Sequence, residues 1–373
     1  MKLFLLFLLA VLLAGTPAIA KKHILYVGTY TEGTTNGIFV YRFNDQTGRL
    51  VNLKTPAVSN NPSFLTISGN KRFLYAVGEV DNLGPNQSGG VSSFSIGEKG
   101  QLTLINQVLT FGANPCHVCL SPDNKMLVAS NYTGGNISLF HVKPDGSLSD
   151  LSQRIQHEGS GPFPERQTVP HAHSSQFDAT GKHLYTADLG IDELKIYSVG
   201  EGTAPLKPSE QPYVKMEPGS GPRHFAFSSD GRFIYVINEL SSTIVVLMKY
   251  GAEWKHVQTI KTLPKDFTGE SWCADIHISA NGRFVYGSNR GHNSISVFKR
   301  EQNSGKLELI ETVPVEGNWP RNFAIDPSGR YLLVANQKSN DITIFKIDQP
   351  SGKLSFTGFK IPNQSPVCLQ FLK

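Results

Sequence analysis

A short turn returns at nearly even intervals along this chain. Gly or Asn stands just ahead of Lys or Arg at positions 70, 124, 181, 231, 282 and 329, spacings of 54, 57, 50, 51 and 47 residues. The fullest copy reads Ser229-Asp230-Gly231-Arg232-Phe233. Gly and Asn are the residues that accept a positive φ in a tight turn. Each turn is followed by an apolar run that alternates in period two, as in Phe233-Ile234-Tyr235-Val236-Ile237. That is strand periodicity, with no helical stripe. A third strand follows in Asn136-Ile137-Ser138-Leu139-Phe140 and in Asp341-Ile342-Thr343-Ile344-Phe345, and Gly146-Ser147-Leu148, Gly305-Lys306-Leu307 and Gly352-Lys353-Leu354 announce a fourth. Four short strands in a unit of about fifty residues predict a β-propeller blade.

The turn occurs six times, but the third strand occurs seven times, first at Gly37-Ile38-Phe39-Val40-Tyr41. The N-terminal unit therefore lacks its first strand. Residues 365–372 supply a spare one, opening on Ser365-Pro366 much as Gly221-Pro222 opens its own strand. The expected fold is all-β, a seven-bladed propeller over residues 21–373, closed by pairing 367–372 beside 24–28. Such closure leaves the ring no open edge.

Residues 1–20 stand apart. Lys2 precedes an apolar run over 3–14, and Ala18-Ile19-Ala20 ends it. This reads as a secretory signal cut before Lys21, too short for a membrane span, and predicts an exported protein, periplasmic or secreted. The formal charge of +5 falls to +4 once Lys2 is removed, with no basic stripe, so nucleic acid is not an expected partner. No apolar stretch beyond the signal would hold a membrane. Cys116 and Cys119 form a lone C-x-x-C inside a strand pattern, where i and i+3 face opposite ways. They read as small buried residues, neither a metal site nor a redox pair.

In an up-and-down blade the first strand begins, and the second ends, on the same rim. Arg223 and Glu239 therefore meet there. The same register puts Ser63 with Gly78-Glu79, Cys116 with Asn131-Tyr132, His173 with Asp188-Leu189, Ala274 with Asn289-Arg290, and Arg321 with Asn336-Gln337. His173, Arg223, Glu239 and Arg290 form the expected catalytic group. Arg321, His171, Asn131 and Asn238 are expected to bind substrate. Glu79 and Asp188, taken singly, read as solvated strand ends. The long connections 151–171, 201–221 and 259–273 fall on this rim and bring His157, Glu158, Glu165 and Arg166 as secondary candidates. Three arginines at one channel mouth repel each other unless an anion sits among them. Arginine grips carboxylate or phosphate and stabilises an oxyanion, and a histidine near a carboxylate can move a proton at neutral pH. The chain has no G-x-S-x-G elbow, dinucleotide loop or H-E-x-x-H zinc motif.

Pro170-His171-Ala172-His173, Gly221-Pro222-Arg223-His224, Asn238-Glu239-Leu240, Ser288-Asn289-Arg290-Gly291 and Pro320-Arg321-Asn322-Phe323 resemble the seven-bladed propeller lactonases. That family holds bacterial 6-phosphogluconolactonases and fungal 3-carboxy-cis,cis-muconate lactonising enzymes. The resemblance spans the chain after the signal and implies hydrolysis of a small anionic sugar lactone. It places the family's site on His173, Arg223, Glu239 and Arg290, adds Arg321 from the phosphogluconolactonase branch, and implies neither metal nor cofactor. Two other readings compete: a muconate-type cycloisomerase, and a non-catalytic exported propeller offering Tyr132 and Trp319 to a protein or glycan.

Overall fold

The computed structural model describes residues 21–31, 36–84 and 87–373, so the expected signal at 1–20 lies outside the described residues. Among the described residues there is no helix, and the strands form seven antiparallel sheets. The second blade shows the plan, a meander of Leu65–Ile67, Phe73–Gly78, Gly90–Ile96 and Leu102–Leu109. The third to seventh blades open with Pro115–Leu120, Ala172–Phe177, Pro222–Phe227, Trp272–Ile278 and Pro320–Ile325. The first blade is composite. Its opening strand is Pro366–Phe371, paired with Lys22–Thr29 in the register Leu25↔Phe371, Val27↔Leu369 and Gly28↔Cys368. Opening strands of neighbouring blades touch all the way round, which makes them the wall of the central channel.

The two recurring turns have one physical cause. Gly231, Gly282 and Gly329 take φ of 67°, 68° and 72°. In the second blade the positive φ falls on Lys71, one residue later than the spacing suggested, and Asn70 does the work of Asp230: each accepts from the amide two residues on, at 3.0 and 3.1 Å. Beyond the turn in the second, fifth and sixth blades a Phe-x-Tyr pair packs under the next blade's outer turn. Gly146, Gly305 and Gly352 sit there with φ of 85°, 70° and 74°. A Cβ on them would come within 2.2, 2.2 and 2.4 Å of Phe73, Phe233 and Phe284. Their carbonyls accept from Tyr75, Tyr235 and Tyr286 at 3.1, 2.9 and 3.0 Å. At these three junctions adjacent blades are thus keyed together by a glycine turn seated on an aromatic pair, around fully buried tyrosines.

Candidate active site

The residues of the channel mouth are aimed by a repeated bulge. In the fifth blade Pro222 pairs with Asn238 and His224 with Ile237, so Arg223 is opposed by no residue of the neighbouring strand. The same slip frees Cys116, His173, Arg321 and Val367 in their own blades. A bulge re-aims a side chain that strict alternation would turn elsewhere. Proline precedes Cys116, Arg223, Arg321 and Val367, a residue that belongs at a strand's first position because it cannot donate to the ladder.

These positions border a cavity of about 200 Å³ lined by Glu79, Cys116, Tyr132, Arg166, His173, Glu239, Arg290 and Arg321. Arg223, with Glu79 and Arg321, borders a narrow crevice that continues it into the channel. Larger grooves exist, such as one of about 510 Å³ along Tyr185, Lys249 and Trp254, but no such set of charges converges there.

Glu239 is the hub. Its Oε2 accepts from Arg223 Nε at 2.9 Å and lies 2.7 Å from Arg290 Nη2, while its Oε1 accepts from Arg166 Nη2 at 2.6 Å. Burial alone would raise its proton affinity, but the guanidiniums of Arg290, Arg223 and Arg166 overcome this and hold the carboxyl far below the usual range. The arginines are themselves anchored: Arg223 Nη1 donates to the Ala274 carbonyl at 2.5 Å, and Arg290 Nη2 to that of Cys273 at 2.8 Å. Burial and then the neighbouring charges of Arg290 and Arg321 bring Arg223 down to about 10, a measure of how crowded the cations are. Arg321 has no hydrogen bond or ion pair among the described residues; its guanidinium stands 5.3 Å from the Tyr30 ring. Four guanidiniums therefore face two carboxyls, Glu79 and Glu239, and one guanidinium is free to grip a ligand.

His173 is 4% exposed, edge-on to Tyr132 and His224 with centroids 5.5 and 5.3 Å away. Its Nδ1 lies 3.8 Å from Cys116 Sγ. Burial, followed by the charge of Arg223, puts its pKa well below 6.5, so the ring is neutral at physiological pH. The usual imidazole value is therefore the wrong reason for choosing it as a base; its neutral form persists into acid.

The structure brings together His173, Arg223, Glu239, Arg290 and Arg321. It adds Arg166, whose loop lies over the site with the guanidinium 5.3 Å from the Trp272 ring. His171 stacks on Tyr132 at 4.4 Å and 12°, behind the cavity wall. Asn131 and Asn238 are fully buried and do not line the cavity. Their amides donate to Asn136 Oδ1 at 2.6 Å and Thr243 Oγ1 at 2.9 Å, tying the second strand of the blade to its third. Asn289 and Asn336 repeat that tie, which is why an Asn recurs at the strand end. His157 is likewise internal, 2.6 Å from Asp188 and 2.9 Å from Tyr197, and Glu158 and Glu165 are exposed. All four cysteines are free and buried, with Cys116 bordering the cavity. Tyr132 and Trp319 are both engaged by arginines, Arg166 at 3.1 Å and Arg290 at 5.6 Å.

The family model of the seven-bladed β-propeller lactonases matches residues 24–371. A 6-phosphogluconolactonase of Bacillus subtilis is 37% identical over 306 residues, covering 81% of this chain and 84% of the relative. One from Formosa agariphila is 37% identical over 306 residues, covering 80% and 85%. The solved periplasmic gluconolactonase of Pseudomonas aeruginosa superposes with a TM-score of 0.90 at 36% identity, covering 95% of this chain and 99% of that one. The chain belongs to the seven-bladed β-propeller lactonase family. Within it, the chain is a lactonase of the 6-phosphogluconolactonase-like kind, an enzyme acting on a small lactone.

Proposed function

We propose that this enzyme hydrolyses an anionic or polyhydroxylated sugar lactone to the aldonate at the mouth of its channel, after export. The observation that carries this is the surplus of guanidinium over carboxylate around a neutral histidine in one cavity. Arg321 and Arg290 receive the substrate's anionic or hydroxyl groups. Arg223 and Arg290 face the oxygen that becomes negative when water adds to the lactone carbonyl, a charge that fixed guanidiniums stabilise without reorganising. His173 takes the proton from that water. Glu239, already saturated by three arginines, makes a poor base and instead sets their geometry. The periplasmic location named for the Pseudomonas aeruginosa neighbour supports the export reading and favours an unphosphorylated aldonolactone such as gluconolactone.

The test is a panel of phosphorylated and unphosphorylated sugar lactones, assayed by acid release with spontaneous hydrolysis subtracted. His173→Ala and Arg223→Ala should each lower turnover by roughly two to three decades, the range of a lost base or oxyanion donor. Wild-type rates in both variants, on a lactone the native enzyme opens, would overturn the assignment. Protein recovered from its native host should begin at Lys21; recovery of Met1 would refute export.

A further inference from the structure

Glu79 holds in the second blade the place that Glu239 holds in the fifth: each follows the last residue of its second strand, Gly78 or Asn238. Both line the same cavity, but their partners differ. Three guanidiniums grip Glu239. Glu79 makes no ion pair among the described residues. Tyr30 Oη donates to its two oxygens at 2.9 Å each, and Ser63 Oγ donates to Oε2, leaving Oε1 the less encumbered. The groups facing it are Tyr30, Ser63, Arg321, Cys116 and, further off, Arg223. Burial outweighs the pull of Arg321 and raises the proton affinity of this carboxyl above that of an ordinary glutamate. Two carboxyls driven apart in one cavity divide into a permanent anion and a proton carrier.

We propose that Glu79 is the acid that protonates the departing ring oxygen, held in place by Tyr30 and Ser63. This rests on the lactonase reading of the site given above. Water oxygen bonds to the carbonyl carbon while one water proton passes to His173. The tetrahedral oxyanion then collapses, the ring C–O bond breaks with its electron pair on the ring oxygen, and that oxygen takes the proton from Glu79. The new carboxyl loses its proton to solvent, and the His173 imidazolium returns a proton to Glu79 through water. One lactone and one water yield one hydroxy-carboxylate and one proton.

A general acid matters in proportion to the basicity of its leaving group, which gives a test that a structural role would not pass. Glu79→Gln should cut kcat on gluconolactone about a hundredfold or more. On dihydrocoumarin, whose phenolic leaving group has a pKa of about 10, it should lose less than about tenfold, because a phenolate departs without help. The alkaline fall of the gluconolactone kcat profile should vanish in Glu79→Gln. Tyr30→Phe keeps the carboxyl but removes a hydrogen bond that favours its anion, and should move that fall to higher pH. Equal losses on the two lactones, or an alkaline limb unmoved in both variants, would overturn the proposal. A native enzyme inactive on every lactone would sink the lactonase reading itself, whereas an active native enzyme with an unimpaired Glu79→Gln sinks the acid alone.

Discussion

Replacing Glu239 by Gln is the sharpest perturbation of the site, because one carboxylate holds three guanidiniums at 2.9, 2.7 and 2.6 Å. Gln keeps the shape and removes the charge, leaving buried cations that face each other. Breaking a buried ion pair by removing one partner costs roughly 3–5 kcal/mol. With an unfolding entropy of about 2.1 cal/mol/K per residue, a domain of about 350 residues has close to 0.7 kcal/mol/K, so the melting temperature should fall by about 4–7 °C. The same substitution raises the site's positive charge by one. At an effective dielectric of 20, a unit charge about 5–6 Å from a bound anion is worth about 3 kcal/mol. Even after screening, inorganic phosphate should therefore bind the variant at least tenfold tighter and raise its melting temperature more than that of the native enzyme. Adding Arg166→Ala should recover part of the lost stability, since it removes one of the repelling cations. Thermal melts with and without phosphate, on the single and double variants, give the answer. An unchanged melting temperature, additive single effects, or no gain in phosphate stabilisation would refute the account of Glu239 as the counter-charge of the cluster.

Acid should destabilise the fold through its buried histidines. Burial and the Arg223 charge hold His224 at about 4 against 6.5 in the unfolded chain, so the unfolded state binds more protons between those values and stability rises with pH across that window. His224 alone should cost roughly 2 kcal/mol between pH 7 and pH 5, and His117 and His173 act in the same direction; urea midpoints at the two pH values check this, and equal midpoints would contradict it. Deleting residues 366–373 removes the strand paired with Lys22–Thr29 and should leave a protein that no longer unfolds in one cooperative transition, as read by calorimetry. Cys119→Ser should keep native turnover, because Cys119 is buried between the third and fourth blades and does not border the cavity.

The fold was legible because its signals, a Gly or Asn turn before Lys or Arg and the period-two strands after it, are local and recur six times along the chain. The pairing of Arg223 with Glu239 was legible for a related reason. Once strands are in register, position along the strand fixes position around the mouth. Position alone cannot say where a polar side chain turns. Asn238 and Glu239 are neighbours at one strand end, and only the second reaches the cavity, because the first finds its partner in Thr243 of its own blade. Arg166 was harder to place, since it comes from a connection with no register at all, and only tertiary packing over Trp272 brings it to Glu239. Glu79 shows the opposite case. Its place beside Ser63 could be read from the repeat, but its character could not. That character depends on Tyr30, at the matching strand end of the first blade, and on Arg321, in the opening strand of the seventh. Both reach it only because the ring closes.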